Sequence, residues 1–230
     1  MSDPVLLITG ASSGIGAATA RAASAAGHRL VLAARSQDRL EALAAELGGD
    51  ERALAVRADV CLWEDNRRMA DAAIEHFGQI DAVFANAGFG GRRTFVDEDA
   101  DSPEFWREMV LTNVLGCAYT VRATLSAIRE RRGHIVLMSS VAGRVPTGSL
   151  YSGTKFAVTG IGRSLRTELL GSGVRVTLIE PGFVDTPFFT EPPEMALSDQ
   201  DIARSVMYAL EQPPHVDVSE ILIRPTGQDL

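Results

Sequence analysis

The chain has 230 residues, of which 46% are hydrophobic and 23% charged, and it is long enough to bury one sizeable core. Its formal net charge of −8 argues against a nucleic-acid binder, which normally presents a basic face. Its two cysteines have no paired spacing and its four histidines are scattered, which argues against a disulfide framework and against a metal site.

The N-terminal residues and the hydropathy of the chain predict where it works. Met1 to Pro4 lead straight into an apolar run with no basic leader, so we expect no signal peptide. No apolar run approaches the ~18 residues of a membrane span, so we expect no membrane partner. Together with the unpaired cysteines, these features predict a soluble protein of the reducing cytoplasm.

Apolar, β-branched runs alternate with longer helical patterns along the sequence. Several runs are almost continuously hydrophobic, which is typical of parallel strands covered by helices on both faces. The alternation predicts an α/β fold, a single doubly wound Rossmann domain over residues 1–230 with a parallel seven-stranded sheet. The predicted strands are 5–9, 29–34, 53–58, 82–85, 134–139, 175–179 and 220–224, and the predicted helices are 14–26, 37–47, 64–77, 103–130, 151–170 and 199–210.

The first predicted strand runs directly into a glycine-rich turn, Thr9-Gly-Ala-Ser-Ser-Gly-Ile-Gly16. Glycines at this spacing allow a tight turn, a close approach of the backbone to a pyrophosphate, and close packing of the next helix. The N-terminus of that helix offers free N–H groups and the positive end of its dipole to the anion. The turn therefore predicts a dinucleotide site, with contacts from Gly10, Ser12, Ser13, Gly14, Ile15 and Gly16.

The end of the second predicted strand indicates which dinucleotide is favoured. An NAD site normally has an acidic residue here for the ribose hydroxyls, but Ala34 carries no carboxylate. The guanidinium of Arg35 can pair with a 2′-phosphate, which favours NADP over NAD, although an exposed arginine before a helix capped by Ser36 is the alternative. Asp59, after the third strand, can accept a hydrogen bond from the adenine amino group or can simply end the strand.

Tyr151 and Lys155 are four residues apart and fall on one face of a predicted helix. A free tyrosine titrates near ~10, and a nearby ammonium lowers that pKa towards the range useful to a general acid or base. Ser140, a short loop upstream, can hold a substrate oxygen while the proton moves. Taken alone, the spacing favours a buried tyrosine and a surface lysine that share a helix by accident.

The rest of the chain reverses that balance, because its motifs together resemble the short-chain dehydrogenase/reductase family along essentially the whole length. They occur in the family's order: Thr9 to Gly16, Asp59-Val60, Asn86-Ala-Gly88, Asn113, Ser139-Ser140, Tyr151-x-x-x-Lys155, Pro181-Gly182 and Thr186. The resemblance implies an NADP-dependent oxidoreductase that interconverts a secondary alcohol and a carbonyl by hydride transfer.

The same resemblance implies roles for single residues. Tyr151 is the expected acid/base, and Lys155 is expected to bind the nicotinamide ribose and to lower the tyrosine pKa. Ser140 is expected to orient the substrate oxygen, and Asn113 to hold a water in a proton relay. Thr186 matches the residue that bonds the nicotinamide carboxamide, with an N-cap at a lid segment as the alternative. The further expected cofactor contacts are Val60, Asn86, Ala87, Gly88, Pro181, Gly182 and Val184.

One departure from the family concerns the loop before Tyr151. Ser140 precedes Tyr151 by 11 positions, fewer than is usual in the family, so the loop is short. Either the loop is trimmed with Ser140 still in place, or the neighbouring Ser139 shares its role.

The substrate is indicated only by short segments. Residues 183–195 read as a lid whose shortness favours a small substrate. Either Arg92 or Arg93 can hold a carboxylate or can be solvated. The tail 216–225 resembles a branch that includes NADP-dependent 3-hydroxy acid and serine dehydrogenases, which favours a small 3-hydroxy acid. Other ketones, aldehydes or 3-oxoacyl substrates are the alternative, and a non-catalytic NADP-binding regulator is the alternative from another class.

Three glycines lie inside the helix that starts near Tyr151. Gly153, Gly160 and Gly162 lower helix stability unless small residues serve a close contact. In the family this helix pairs across a subunit interface, so we expect a homodimer or homotetramer.

Overall fold

The computed structural model of the protein describes residues 3–91, 95–96, 100–188 and 194–229. Its strands are β1 Val5–Thr9, β2 Arg29–Ala34, β3 Ala53–Arg57, β4 Ala82–Ala85, β5 His134–Met138, β6 Arg175–Pro181, β7 Val184–Asp185, β8 Leu197–Ser198 and β9 Glu220–Ile223. Its α-helices are α1 Gly14–Ala25, α2 Gln37–Glu46, α3 Trp63–Phe77, α4 Pro103–Val110, α5 Cys117–Arg131, α6 Leu150–Glu168 and α7 Asp199–Leu210. A π-helical segment, Leu111–Gly116, joins α4 to α5, and a 3₁₀ turn spans Val141–Gly143.

Seven strands form one parallel sheet in the order β3-β2-β1-β4-β5-β6-β9. The chain builds outward from β1 to β3, returns to place β4 beside β1, and then builds outward on the other side. This order confirms the predicted doubly wound α/β sheet of the Rossmann type. The reversal between β1 and β4 opens a crevice at the carboxyl ends of the strands, which is where ligands bind in such sheets.

The core has two layers, one on each face of the sheet. Along β1, Val5 and Leu7 pack into the layer that holds α3, α5 and α6, whereas Leu6 and Ile8 pack into the layer that holds α1, α2 and α7. All four side chains are fully buried. Burial on both faces explains why this strand is continuously hydrophobic rather than alternating.

The main departure from the predicted elements lies in the long helix expected over 103–130. The π-helical segment interrupts it and contains Asn113. Close packing accompanies the irregular turn, since a Cβ on Gly116 would lie 2.7 Å from Cγ2 of Val60. The short parallel pair of β7 and β8 was not predicted, because strands of two residues carry no readable periodicity.

The glycines of α6 differ in their surroundings. A Cβ on Gly162 would lie 2.8 Å from Leu178 on β6, so this glycine serves a contact within the chain rather than one with a partner. Around Gly160, by contrast, nothing in the described part of the chain lies within 4 Å of the Cβ position. Among the described residues, no helix is long and apolar enough to cross a membrane.

Candidate active site

An open cleft of about 1320 Å³ lies at the carboxyl ends of the central strands. It runs from the glycine-rich turn after β1 to the lid segment after β7. All but two of the predicted site residues line it; Gly16 and Asn113 lie just behind its wall. The predicted residues that line the cleft are Gly10, Ser12, Ser13, Gly14, Ile15, Arg35, Asp59, Val60, Asn86, Ala87, Gly88, Ser140, Tyr151, Lys155, Pro181, Gly182, Val184 and Thr186.

The turn between β1 and α1 has the backbone that a pyrophosphate requires. Gly10 and Gly14 adopt φ angles of 68° and 50°, which residues other than glycine rarely adopt. A Cβ on Gly16 would lie 2.3 Å from the carbonyl oxygen of Gly10. Ser13 occupies the N-cap position of α1, but its side chain makes no capping hydrogen bond. The first-turn N–H groups of α1 therefore remain available to an anion, and the site fits a dinucleotide.

Thr9 fixes this turn to the loop that follows β4. Its hydroxyl oxygen accepts hydrogen bonds from the backbone N–H groups of Asn86, at 3.1 Å, and Ala87, at 3.2 Å. The amide of Asn86 donates back to the Thr9 carbonyl at 3.0 Å. Thr9 is 1% exposed, so its role is internal support of the cleft. It was not among the predicted contacts, and its place directly before Gly10 was the available signal.

The adenosine end of the cleft carries two arginines. Arg35 is exposed at the cleft wall, and Arg39 lies beside it and donates a hydrogen bond to the Ser36 hydroxyl at 2.9 Å. The Ser36 side chain makes no capping hydrogen bond to α2, so this part of the alternative interpretation of Arg35 is not found. One carboxylate oxygen of Asp59 accepts from the N–H of Cys61 at 2.9 Å, which shapes the turn after β3. Arg39 was not predicted, because it is one helical turn beyond the strand end.

Lys155 is 4% exposed within α6. Its amine donates to the Met138 carbonyl at 2.8 Å and lies 5.6 Å from the centre of the Tyr151 ring. Burial lowers the pKa of Lys155 to about 8. Burial also raises the pKa of the fully enclosed Cys117 thiol to about 12, so that neighbour is neutral at pH 7. The amine therefore faces Tyr151 as a cation at neutral pH, with a depressed pKa.

The two serines after β5 face different neighbours. Ser140 caps the 3₁₀ turn by accepting from the N–H of Ala142 at 3.1 Å, and its hydroxyl donates to the Pro181 carbonyl at 3.3 Å. The hydroxyl of Ser139 instead donates to the Lys155 carbonyl at 3.2 Å and shares a 2.8 Å hydrogen bond with Thr159. The short loop thus keeps Ser140 and Tyr151 in one cleft, while the Ser139 hydroxyl is bound to α6.

Asn113 is 2% exposed and clamps the loop after β4. Its amide donates to the Phe89 carbonyl at 2.8 Å and to the Thr154 hydroxyl at 3.1 Å. Its carbonyl oxygen accepts from the N–H of Phe89 at 3.0 Å. A Cβ on Gly88 would lie 3.0 Å from this oxygen and 3.8 Å from the Lys155 amine. Both side-chain donors of Asn113 are engaged by protein atoms, so its side chain acts here as a brace.

Described residues of the lid segment, from 183–188 and 194–195, line the open cleft, and residues 189–193 lie outside the described part of the chain. Pairing of β7 with β8 brings residues 184–185 next to residues 197–198. Near the start of this segment, the Thr186 side chain lies 3.3 Å from where a Cβ on Gly14 would be. Its hydroxyl oxygen accepts a hydrogen bond from the N–H of Phe188 at 3.3 Å. The Phe188 ring meets Tyr151 edge-on, with ring centres 5.4 Å apart. Arg92 and Arg93, for which a carboxylate contact and a solvated position were both considered, lie outside the described residues.

The C-terminal residues also line the cleft, next to the turn after β6, and the motifs did not predict this. The side-chain carbonyl of Gln228 accepts from the N–H of Phe183 at 2.9 Å. A Cβ on Gly182 would lie 2.1 Å from the same oxygen, so the tail packs directly on the turn after β6.

Comparison with known proteins adds the family to this geometry. The family model described as short chain dehydrogenase matches residues 4–196. The chain belongs to the short-chain dehydrogenase family. An uncharacterized oxidoreductase of Staphylococcus epidermidis is 40% identical to this dehydrogenase over 97% of each chain. The protein is therefore an oxidoreductase of a family that uses nicotinamide cofactors and acts on small molecules.

Two solved structures are close to this short-chain dehydrogenase. An alcohol dehydrogenase from the archaeon Thermococcus sibiricus, complexed with 5-hydroxy-NADP, is 34% identical with a TM-score of 0.89 over 99% of this chain and 98% of its own. Serine dehydrogenase from Escherichia coli is 32% identical with a TM-score of 0.88 over 98% of this chain and 100% of its own.

Proposed function

We propose that the protein is an NADP-dependent short-chain dehydrogenase/reductase, one domain over residues 1–230, that interconverts a secondary alcohol and a carbonyl by hydride transfer. The observation that carries this proposal is the cleft in which Tyr151, the buried amine of Lys155 and the hydroxyl of Ser140 lie beside a turn suited to a dinucleotide. When bound, the nicotinamide supplies or accepts the hydride.

The chain's own residues manage one proton and one oxygen. Tyr151 gives or takes the hydroxyl proton of the substrate, because the neighbouring cation of Lys155 favours the ionised phenol. Ser140 donates a hydrogen bond to the substrate oxygen as negative charge develops on it. To do so, its hydroxyl turns from the Pro181 carbonyl towards the cleft. Asn113 keeps the loop after β4 against Thr154, and with it the wall next to the Lys155 amine. Its carbonyl oxygen accepts one hydrogen bond, from Phe89, and has a second lone pair for the proposed relay water.

The proposed cofactor contacts divide along the cleft. The turn from Gly10 to Gly16 and the N-terminus of α1 hold the pyrophosphate, and Asp59 with Val60 borders the adenine. Arg35 binds the 2′-phosphate, supported by the missing carboxylate at Ala34 and by the NADP analogue bound to the Thermococcus relative. Residues 86–88 and 181–186 enclose the nicotinamide end, where Lys155 binds the ribose and Thr186 the carboxamide.

The proposed substrate is a small 3-hydroxy acid or a similar secondary alcohol. Phe188 meets Tyr151 edge-on and so borders the space beside the phenol. The likeness to serine dehydrogenase also favours a small hydroxy acid. A reductase of other ketones, aldehydes or 3-oxoacyl substrates is the second candidate, because the pocket walls include Phe89 and Phe105.

We further propose a cytoplasmic homodimer or homotetramer, with the open surface at Gly160 in contact with the partner. A monomeric mass at every protein concentration would refute this assembly.

The test is NADP⁺- and NAD⁺-dependent oxidation of a panel by wild type and by Tyr151→Phe. The panel contains serine, allo-threonine, 3-hydroxybutyrate, 3-hydroxyisobutyrate and several larger secondary alcohols. We expect NADP⁺-dependent turnover of the small hydroxy acids, reduced about 10³-fold in Tyr151→Phe with NADP⁺ binding retained. Turnover of the larger alcohols alone would favour the second candidate. NADP⁺ binding without turnover of any panel member would refute the proposed substrates and leave either a narrower substrate or the regulator.

A further inference from the structure

Four charged side chains join the loop after Ser140 to the far edge of the sheet. Arg144 donates from Nε to a carboxylate oxygen of Glu180 on β6 at 2.7 Å. Its Nη2 contacts the same oxygen at 2.6 Å and also pairs with Glu220 on β9. Glu220 in turn accepts from Arg163 of α6 at 2.8 Å. The loop and two strands therefore meet at the Arg144 guanidinium, and helix α6 joins them through the contact of Arg163 with Glu220.

The pair of Arg144 with Glu180 is the strong member of this chain of charges. The Glu180 side chain is 0% exposed, whereas that of Arg144 is 30% exposed. A carboxylate enclosed in this way requires a cationic partner and hydrogen bonds. Thr159 supplies a weak one to its other oxygen at 3.4 Å, and Arg144 supplies the charge. Hydrogen bonding to Glu180 raises the pKa of Arg144. If the loop that carries Arg144 moved away from β6, the buried Glu180 carboxylate would lose its cationic partner.

The same ion pair lies next to both supports of the Ser140 hydroxyl. Glu180 directly precedes Pro181, whose carbonyl accepts the hydroxyl proton of Ser140 at 3.3 Å. The N–H of Arg144 donates to the Val141 carbonyl at 2.9 Å and so closes the turn that Ser140 caps. Movement of Arg144 away from Glu180 would shift the turn, and with it the backbone that carries Ser140, relative to β6.

We infer that Arg144 is a positioning residue for the reaction: its ion pair with Glu180 holds Ser140 where the substrate oxygen is bound. This inference rests on the proposed function, since it assigns Arg144 a task only if Ser140 contacts that oxygen. The ion pair of Arg144 with Glu180 also fixes the short loop to β6, four residues after Ser140.

The test is a double-mutant cycle of Arg144→Gln with Ser140→Ala. We measure kcat, KM and the Kd of NADP⁺, using the panel alcohol that wild type oxidises fastest. We expect Arg144→Gln to lower kcat about tenfold or more while the Kd of NADP⁺ stays within about twofold. In the Ser140→Ala background, the same change should lower kcat by less than about twofold, because the hydroxyl that it positions is already absent. A general loss of structure would lower kcat in both backgrounds alike.

Arg166→Gln is the matched control, because Arg166 of α6 likewise forms an ion pair, at 2.7 Å with Asp217, but away from the loop that carries Arg144. We expect it to keep the wild-type kcat. Equal losses from Arg144→Gln in both backgrounds would overturn the inference and leave the proposed function standing. Wild-type kcat in both Ser140→Ala and Tyr151→Phe would refute the proposed function as well.

If Arg144→Gln does not fold, Arg144→Lys replaces it, since lysine keeps the charge but not the forked contact. The expected loss in kcat is then about threefold, and it should vanish in the Ser140→Ala background. An unchanged kcat, or a loss that persists without the serine hydroxyl, would overturn the inference.

Discussion

The amine of Lys155 is predicted to titrate far below an ordinary lysine, and the sequence makes this unusually easy to measure. The chain contains one lysine, so a single side-chain amine signal reports on the site. Burial lowers its pKa from 10.5 to about 8. By the usual conversion, this corresponds to roughly 3 kcal/mol of extra cost for the charged amine in the folded state. The hydrogen bond to the Met138 carbonyl does not remove that cost.

The lowered pKa of Lys155 makes the folded protein more stable as the pH rises from ~8 to ~10.5. Between pH ~8 and ~10.5 the folded protein has lost the Lys155 proton while the unfolded chain still holds it, so the free energy of unfolding rises with pH. Below pH ~8 both states are protonated and the full cost is present. Cys117 acts in the opposite direction above pH ~9, because its thiol stays protonated in the fold to a pKa of about 12. Unfolded thiols already begin to ionise between pH ~8 and ~9, and burial raises the pKa of the Cys61 thiol as well, so the lysine contribution is the difference between wild type and Lys155→Met, which share both thiols.

The assay is an NMR titration of the protein labelled at lysine Nζ and Cε, with chemical denaturation at each pH. We expect a midpoint near 8 and a rise in unfolding free energy that is absent in Lys155→Met. That variant should also be more stable than wild type at pH 7, by up to about 3 kcal/mol less the value of the lost hydrogen bond. Tyr151→Phe is the control, since burial of the amine persists there and the midpoint should stay near 8. A midpoint at or above 10 in the folded wild type would refute the reasoning.

Three further predictions concern the cleft and the helix beside it. Gly16→Ala should weaken NADP⁺ binding by about 1–3 kcal/mol, because its methyl would lie 2.3 Å from the Gly10 carbonyl; unchanged affinity by calorimetry would show that the turn can yield. Gly162→Ala should lower the free energy of unfolding by about 1–2 kcal/mol through its 2.8 Å approach to Leu178, whereas Gly160→Ala should raise that of the dissociated protomer by up to about 1 kcal/mol; equal effects in urea denaturation at a protein concentration where protomers are separate would contradict this contrast. Arg35→Asp should weaken NADPH binding about 10²-fold and shift preference towards NADH, and an unchanged preference would assign the 2′-phosphate to another group such as Arg39.

The parts of the fold that the sequence predicted are those specified by local pattern. The strands of the large sheet were predicted to within two residues, because doubly buried strands are continuous apolar runs. The π-helical turn around Asn113 was not predicted, and the close packing that accompanies it joins Gly116 to Val60, which are 56 positions apart. The lid pairing of β7 with β8 is too short to have a period.

The site was predictable to the same extent. Motif residues around the cleft followed from spacing and resemblance, but the groups that hold them in place did not. Thr9 beneath the turn, Gln228 behind Gly182 and Arg144 on Glu180 make contacts to segments distant in the chain. A single sequence gives such pairs no local signal, because each partner alone resembles an ordinary polar residue.

The two ends of the cleft are built in different ways, and they should respond differently to substitution. The cofactor end is formed by backbone, with left-handed glycines, a helix N-terminus and the Thr9 hydroxyl fixing main-chain groups. Changes there alter the shape of the turn and should appear mainly in cofactor affinity. The reacting end depends on side chains, with a buried amine on a carbonyl and a serine loop on a buried ion pair. Because these contacts orient groups that act only as charge develops on the substrate oxygen, changes there should appear in kcat with cofactor affinity retained.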